Sequence, residues 1–144
     1  MDNTKPVDKT SKSIQEIEKI LLMLLLSQEK GDIESFTDCF LHDSSVVHIG
    51  TDVDEYFTTW RDYLHQIDEF LISRKGHEIN AQETRIRLNK EQNTAWYSQL
   101  IDTCYETKGE ITRIEGFRHT GVLVKTENGW KIVQSHVSAP LIND

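Results

Sequence analysis

Residues 118–140 read RHTGVLVKTENGWKIVQSHVSAP, and their pattern decides the fold. Two runs of partly alternating polarity flank Asn128-Gly129, a dipeptide suited to the left-handed backbone of a tight hairpin. The second run closes on a histidine and a serine spaced two apart, His136 and Ser138. Working outward, residues 70–79, 84–89, 94–105, 111–125 and 130–137 read as strands with turn residues between them. Gly116 and Gly121 fall inside one of these runs and mark a bend or a close backbone approach.

The chain upstream reads as helical. Ser13 and Glu16 stand three apart, the spacing of a capping box. Ile14, Ile17, Leu21, Leu24 and Leu25 follow at helical intervals to about Glu29, and Gly31 is placed to end the helix. Asp32 can cap a short second helix carrying Ile33, Phe36 and Phe40 on one face. Val46 to Ile49 is β-branched enough for a first strand. A third helix is expected from Thr51 or Asp52, with Val53, Tyr56, Phe57, Trp60, Leu64 and Ile67 forming an apolar stripe. Helices followed by a meander of long strands predict an α+β fold, its helices packed on one face of a bent sheet. Residues 1–12 are expected to be a polar arm and 13–144 a single domain.

Composition excludes several functions. The net charge is −8, from 24 acidic and 16 basic side chains, with no basic stripe, so nucleic acid is not an expected partner. The longest apolar run, Ile20 to Leu26, is far short of the ~20 residues that cross a bilayer. It follows Glu16 and Glu18 rather than a basic segment, which argues against a signal peptide and against membrane association. Cys39 and Cys104 lack any CxxC partner and are expected as buried reduced thiols in a cytoplasmic protein. The histidines show no HxH or HxxxH spacing, so neither a metal nor another cofactor is expected.

Residues 121–140 resemble the C-terminal hairpin of the SnoaL-like branch of the nuclear transport factor 2-like superfamily. The association domain of calcium/calmodulin-dependent protein kinase II is a relative that shares the tryptophan, the histidine and serine two apart, and the following proline. The run His48-Ile49-Gly50-Thr51 ahead of Trp60, and the pair Ala95-Trp96, are similar to that family too. The resemblance spans roughly residues 13–140. It implies a cone-shaped, cystatin-like roll: about three N-terminal helices on a strongly bent mixed or antiparallel sheet that encloses a pocket. It also implies homodimers formed through the convex face of the sheet. The association-domain relatives carry an arginine after the final-strand histidine where this chain has Val137, a departure that separates it from their ligand.

Strand alternation then nominates site residues. With Ile132 inward, His136 falls on the same face; the set containing Arg118 and the set Trp96, Ser98, Leu100, Asp102 are expected on the concave side. The resulting constellation is Asp102 and His136 as an acid–base pair and Arg118 as an anion anchor. Trp96, Tyr56 and Trp60 would wall the site, with His48 at its rim. The other use of the same residues is structural, with Asp102 and Arg118 paired across the sheet and His136 capping a strand end. The favoured function is a small-molecule-binding module of a homodimer, with an apolar pocket and a cationic anchor for a ligand that carries a carboxylate. A cofactor-independent isomerase, dehydratase or cyclase is the first alternative, and an oligomerisation or interaction domain the second.

Overall fold

A computed structural model describes residues 9–142 of the chain. The expected arm over 1–12 lies outside the described residues as far as Asp8, and from Lys9 the chain is already helical. Helix α1 (Lys9–Lys30) buries Ile17, Leu21, Leu24 and Leu25 and leaves Leu22 and Met23 exposed, as a single apolar stripe requires. Each such buried aliphatic side chain stabilises the fold by roughly 1.5–3 kcal/mol. Ser13 lies buried inside this helix instead of capping it. Gly31, with φ +67°, ends the helix.

Helix α2 (Ile33–Asp38) is capped as its sequence predicts: Asp32 Oδ1 accepts from the Ser35 N–H at 3.1 Å. Strand β1 (Val47–Ile49) follows, then a short β2 (Tyr56–Phe57). The third helix, α3 (Trp60–Ser73), begins later than expected. Glu55 explains the delay. Its backbone N–H donates to Asp52 O at 3.0 Å, its carbonyl accepts from Gly50 N at 2.8 Å, and its Oε1 accepts from Asp52 N at 2.9 Å. A turn thus occupies the positions assigned to helix, and Val53 and Tyr56 are exposed. Thr59 caps α3 by accepting from the Asp62 N–H.

The remaining strands are long: β3 (Lys75–Leu88), β4 (Thr94–Thr107), β5 (Glu110–Thr126) and β6 (Gly129–Ser138). The helix α3 takes up part of the expected strand at 70–79, and the rest joins 84–89 to make β3. The six-stranded sheet has the order β2-β1-β6-β5-β4-β3, with β1 parallel to β6 and all other pairs antiparallel. The closing turn falls one residue earlier than expected, on Glu127 and Asn128, and Gly129, at φ +97°, opens β6 paired with Thr126. Helices α1, α2 and α3 bury Ile17, Leu21, Leu24, Phe36, Ile67 and Leu71, together with Phe40 just past the end of α2, against the sheet residues Ile86, Ala95, Tyr97, Leu123, Trp130 and Ile132. Fold class and helix-on-sheet layering therefore agree with the sequence reading.

Bulges bend this sheet, and they decide which side chains face inward. Between Ile101↔Phe117 and Thr103↔Ile114, Glu115 and Gly116 on β5 stand opposite Asp102 alone. Gly116 adopts φ +75° there, a backbone state open to glycine. Between Leu123↔Ile132 and Val122↔Gln134, Val133 is the extra residue on β6. That insertion reverses the alternation beyond Ile132: Ser135 is buried and His136 exposed.

Candidate functional site

The concave face of the sheet and the inner faces of α1, α2 and α3 enclose a cavity of about 400 Å³. The volume lies within the range of small-molecule sites. Apolar walls come from Leu24, Phe36, Phe40, Phe57, Phe70 and Phe117, while polar groups enter from β1, α3 and the concave sides of β3 to β6.

At the inner wall, β1 places His48 opposite Ser135 of β6, and His48 Nδ1 lies 2.7 Å from Ser135 Oγ. His48 is only 1% exposed, stacks on Tyr63 at 4.1 Å between ring centroids, and meets the Phe40 ring edge-on. Its Nε2 is buried with no hydrogen-bond partner among the described residues. Burial, and then the neighbouring His119, push its pKa down to about 4, so the ring is neutral near pH 7. Burial raises the Tyr63 phenol well above its ordinary value.

Next to it, β5 and β4 build a directed hydrogen-bond chain. Thr84 Oγ1 donates to Gln99 Oε1 at 2.9 Å, which turns the Gln99 amide nitrogen toward His119 Nδ1 at 3.1 Å. His119 Nδ1 must accept, so its proton sits on Nε2 and points at Tyr97 Oη, 2.9 Å away. A second ring proton would face the amide donor, and burial holds His119 near a pKa of about 4. Gly121 makes this arrangement fit: a Cβ there would stand 2.5 Å from both Tyr97 Oη and the Gln134 carbonyl.

At the mouth, Arg74 follows the last turn of α3. Its guanidinium carbon sits 3.6 Å from the Phe70 ring centroid and 4.0 Å from that of Tyr105. Among the described residues it has no carboxylate or carbonyl partner, so its N–H edge is unspent. Burial lowers its pKa, partly offset by the charges of Tyr105, Glu55 and Asp52. Nearby, His77 Nε2 lies 2.8 Å from Thr103 Oγ1. Glu55 lines the same mouth; burial raises its pKa, against hydrogen bonding from Asp52 and the field of Arg74. Among the described residues, no group of three or more His, Cys, Asp or Glu is placed to hold a metal ion.

The expected constellation lies elsewhere. Asp102, Arg118, His136 and Trp96 stand on the convex side. His119, Gly121 and Leu123 of β5, and Tyr97, Gln99 and Ile101 of β4, take the concave positions assigned to their neighbours. The Asp102 carboxylate accepts from the Gly116 N–H at 2.9 Å and from the Gln82 amide, bracing the bulge. Arg118 does not pair with it, but donates to Ser138 Oγ and the Ala139 carbonyl. Tyr56 is 64% exposed. Trp60 packs on Phe40 and stacks on His42 instead of lining the cavity. His48 does line it, on the inner wall and not the rim.

Tyr63, Arg74, His77, Tyr97, Gln99, His119 and Ser135 were not singled out by sequence. Tyr63 and Phe70 sit at helical spacing with Trp60 and Ile67, so the stripe of α3 carried that signal. Arg74 was hidden by reading 70–79 as a strand.

The sequence profile of a family described as SnoaL-like domain matches residues 17–142. No functionally curated protein shows a significant sequence match. Among solved structures, a candidate dehydratase of the nuclear transport factor 2-like family from Streptomyces avermitilis superposes with a TM-score of 0.83 at 13% identity, covering 93% of this chain and 100% of that one. A nuclear transport factor 2-like superfamily protein from Salmonella enterica serovar Typhimurium gives 0.82 at 18% identity, with coverage of 94% and 96%. A candidate calcium/calmodulin dependent protein kinase II association domain from Xanthomonas campestris gives 0.72 at 17% identity and 97% of both chains. At these identities the likeness is one of fold.

Proposed function

The chain belongs to the SnoaL-like domain family, and on that premise we propose that its concave cavity binds a compact, largely apolar small molecule through a carboxylate. The observation that carries this reading is Arg74, a cation held against the rings of Phe70 and Tyr105 at the cavity mouth, its N–H edge unspent among the described residues. Two aromatic rings within 4.0 Å hold the guanidinium carbon, and its N–H edge offers the parallel donors a carboxylate accepts. The cationic anchor expected of the sequence is thus Arg74 in place of Arg118.

The ligand body lies among Phe36, Phe40, Phe57 and Phe117, and a polar atom at its far end meets His48 Nε2, the orphaned group of the inner wall. A neutral imidazole beside Tyr63 and Ser135 also supports acid–base chemistry on that atom, the second reading. The convex face is left for a second copy of the chain, with Trp96 48% exposed among Arg85, Arg87, Thr120 and Gln134.

Isothermal titration with small aromatic and branched aliphatic carboxylates tests the binding reading. Wild type and Arg118→Met should bind alike, and Arg74→Met should lose at least tenfold in affinity, about 1.4 kcal/mol. Equal affinity of wild type and Arg74→Met would remove the anchor. Sedimentation at a dimer mass is expected, and a monomer would argue against the second copy.

A further inference from the structure

We infer that the ligand's head group is a zwitterion, an ammonium beside a carboxylate as in an aromatic α-amino acid. This deepens the reading of the cavity as a carboxylate site and rests on it.

The mouth of the cavity does not suit a simple anion. Arg74 shares it with Asp52, Asp54 and Glu55, so carboxylates outnumber the cation there. Glu55 is fixed in place. Its Oε1 is bound to Asp52 N, its carboxyl is folded over Gly50, where a Cβ would come within 2.6 Å of Oε2, and its backbone closes the turn on both sides. Arg74 is equally fixed by its two rings. The pair stands farther apart than a direct ion pair, yet each feels the other's charge. Two rigid opposite charges with a gap between them match a ligand that brings one charge for each.

A ligand carboxylate docked on Arg74 alone sets a second negative charge before Glu55 and Asp52, which weakens it. An ammonium one carbon away turns that repulsion into attraction. At a half-buried site this difference outweighs the screening that would erase it on an open surface. A bare ammonium ligand gains Glu55 but meets Arg74. A dicarboxylate compounds the repulsion. The body must be apolar and compact: phenylalanine-sized side chains match walls built from Phe36, Phe40, Phe57 and Phe117.

The experiment titrates the full-length protein at pH 7 with L-phenylalanine, 3-phenylpropionate and 2-phenylethylamine, which share the ring and differ in head-group charge. L-Phenylalanine should bind at least tenfold more tightly than either singly charged analogue. In Glu55→Gln, whose amide oxygen still accepts from Asp52 N, 3-phenylpropionate should gain affinity and L-phenylalanine lose it, closing most of the gap. Circular dichroism and urea midpoints confirm that the variant is folded, and Asp52→Asn should shift the ratio in the same direction. If 3-phenylpropionate binds as tightly as L-phenylalanine or more so, the zwitterion is wrong and the carboxylate site stands. If neither binds, both readings fail together.

Discussion

Lowering the pH should unfold this protein through its buried histidines before its carboxylates titrate. His48 and His119 sit at a pKa of about 4 in the fold, against an ordinary 6.5 in the unfolded chain. Their folded pKa is depressed, so the unfolded state takes up protons first. The stability they support is intact above pH 6.5 and is lost as the pH falls from 6.5 toward 4. Full protonation costs about 3 kcal/mol for each. By pH 5 each has surrendered about 2 kcal/mol, and the two together about 4, a large part of the 5–15 kcal/mol typical of a domain. His77, also shifted down by burial, adds in the same direction. The assay is urea unfolding of wild type and His119→Gln at half-unit steps from pH 7.5 to 5. Gln keeps a donor toward Tyr97 and an acceptor toward Gln99 but takes up no proton. The wild type should lose stability more steeply, by about 1.4 kcal/mol per pH unit below pH 6, which is one proton's worth. Parallel curves for the two proteins would refute the depressed pKa of His119.

Three further outcomes follow from particular contacts. Gly121→Ala should lower stability by about 1–3 kcal/mol in urea, because the new methyl meets Tyr97 Oη and a backbone carbonyl at 2.5 Å and displaces the phenol from His119. Asp102→Ala should cost about 1–2 kcal/mol by leaving the Gly116 N–H of the bulge unpaired, while His136→Ala, at an exposed position, should stay within about 0.5 kcal/mol; neither should change ligand affinity in titration. Cys39, whose thiol burial pushes up to about 12, should resist iodoacetamide at pH 8 in the folded protein and react only on unfolding, as mass spectrometry of the labelled peptide would show. Cys104, half-buried, is the thiol that labels first.

The fold was legible where the pattern served the core. Ile17, Leu21 and Leu24 kept helical period, Asp32 kept its cap, and Trp130 with Ile132 kept strand alternation, because these positions exchange water for packed neighbours. The start of α3 was not, since the aromatic residues Tyr56 and Phe57 fit a helical stripe until the hydrogen bonds of Glu55 close a turn. The candidate site was the least legible. A cavity wall is polar by design, so strand alternation set His119, Gln99 and Ser135 on the face opposite the expected site, while Trp96, which lies on the outer face, was expected to wall the pocket. The extra residue Val133 then moved His136 outward, and nothing in its composition announces a bulge. Gly116 and Gly121 were the local clues: one bends β5 and the other admits Tyr97.

The central claim is that a ligand carboxylate docks on Arg74 inside the concave cavity. A crystal structure with the tightest-binding carboxylate of the titration panel tests it most directly. A bidentate contact to the Arg74 guanidinium beside Phe70 and Tyr105 is expected, with the ligand body pointing toward His48. A ligand seated instead on the convex face against Arg118 or Trp96, with the cavity unchanged, would contradict it.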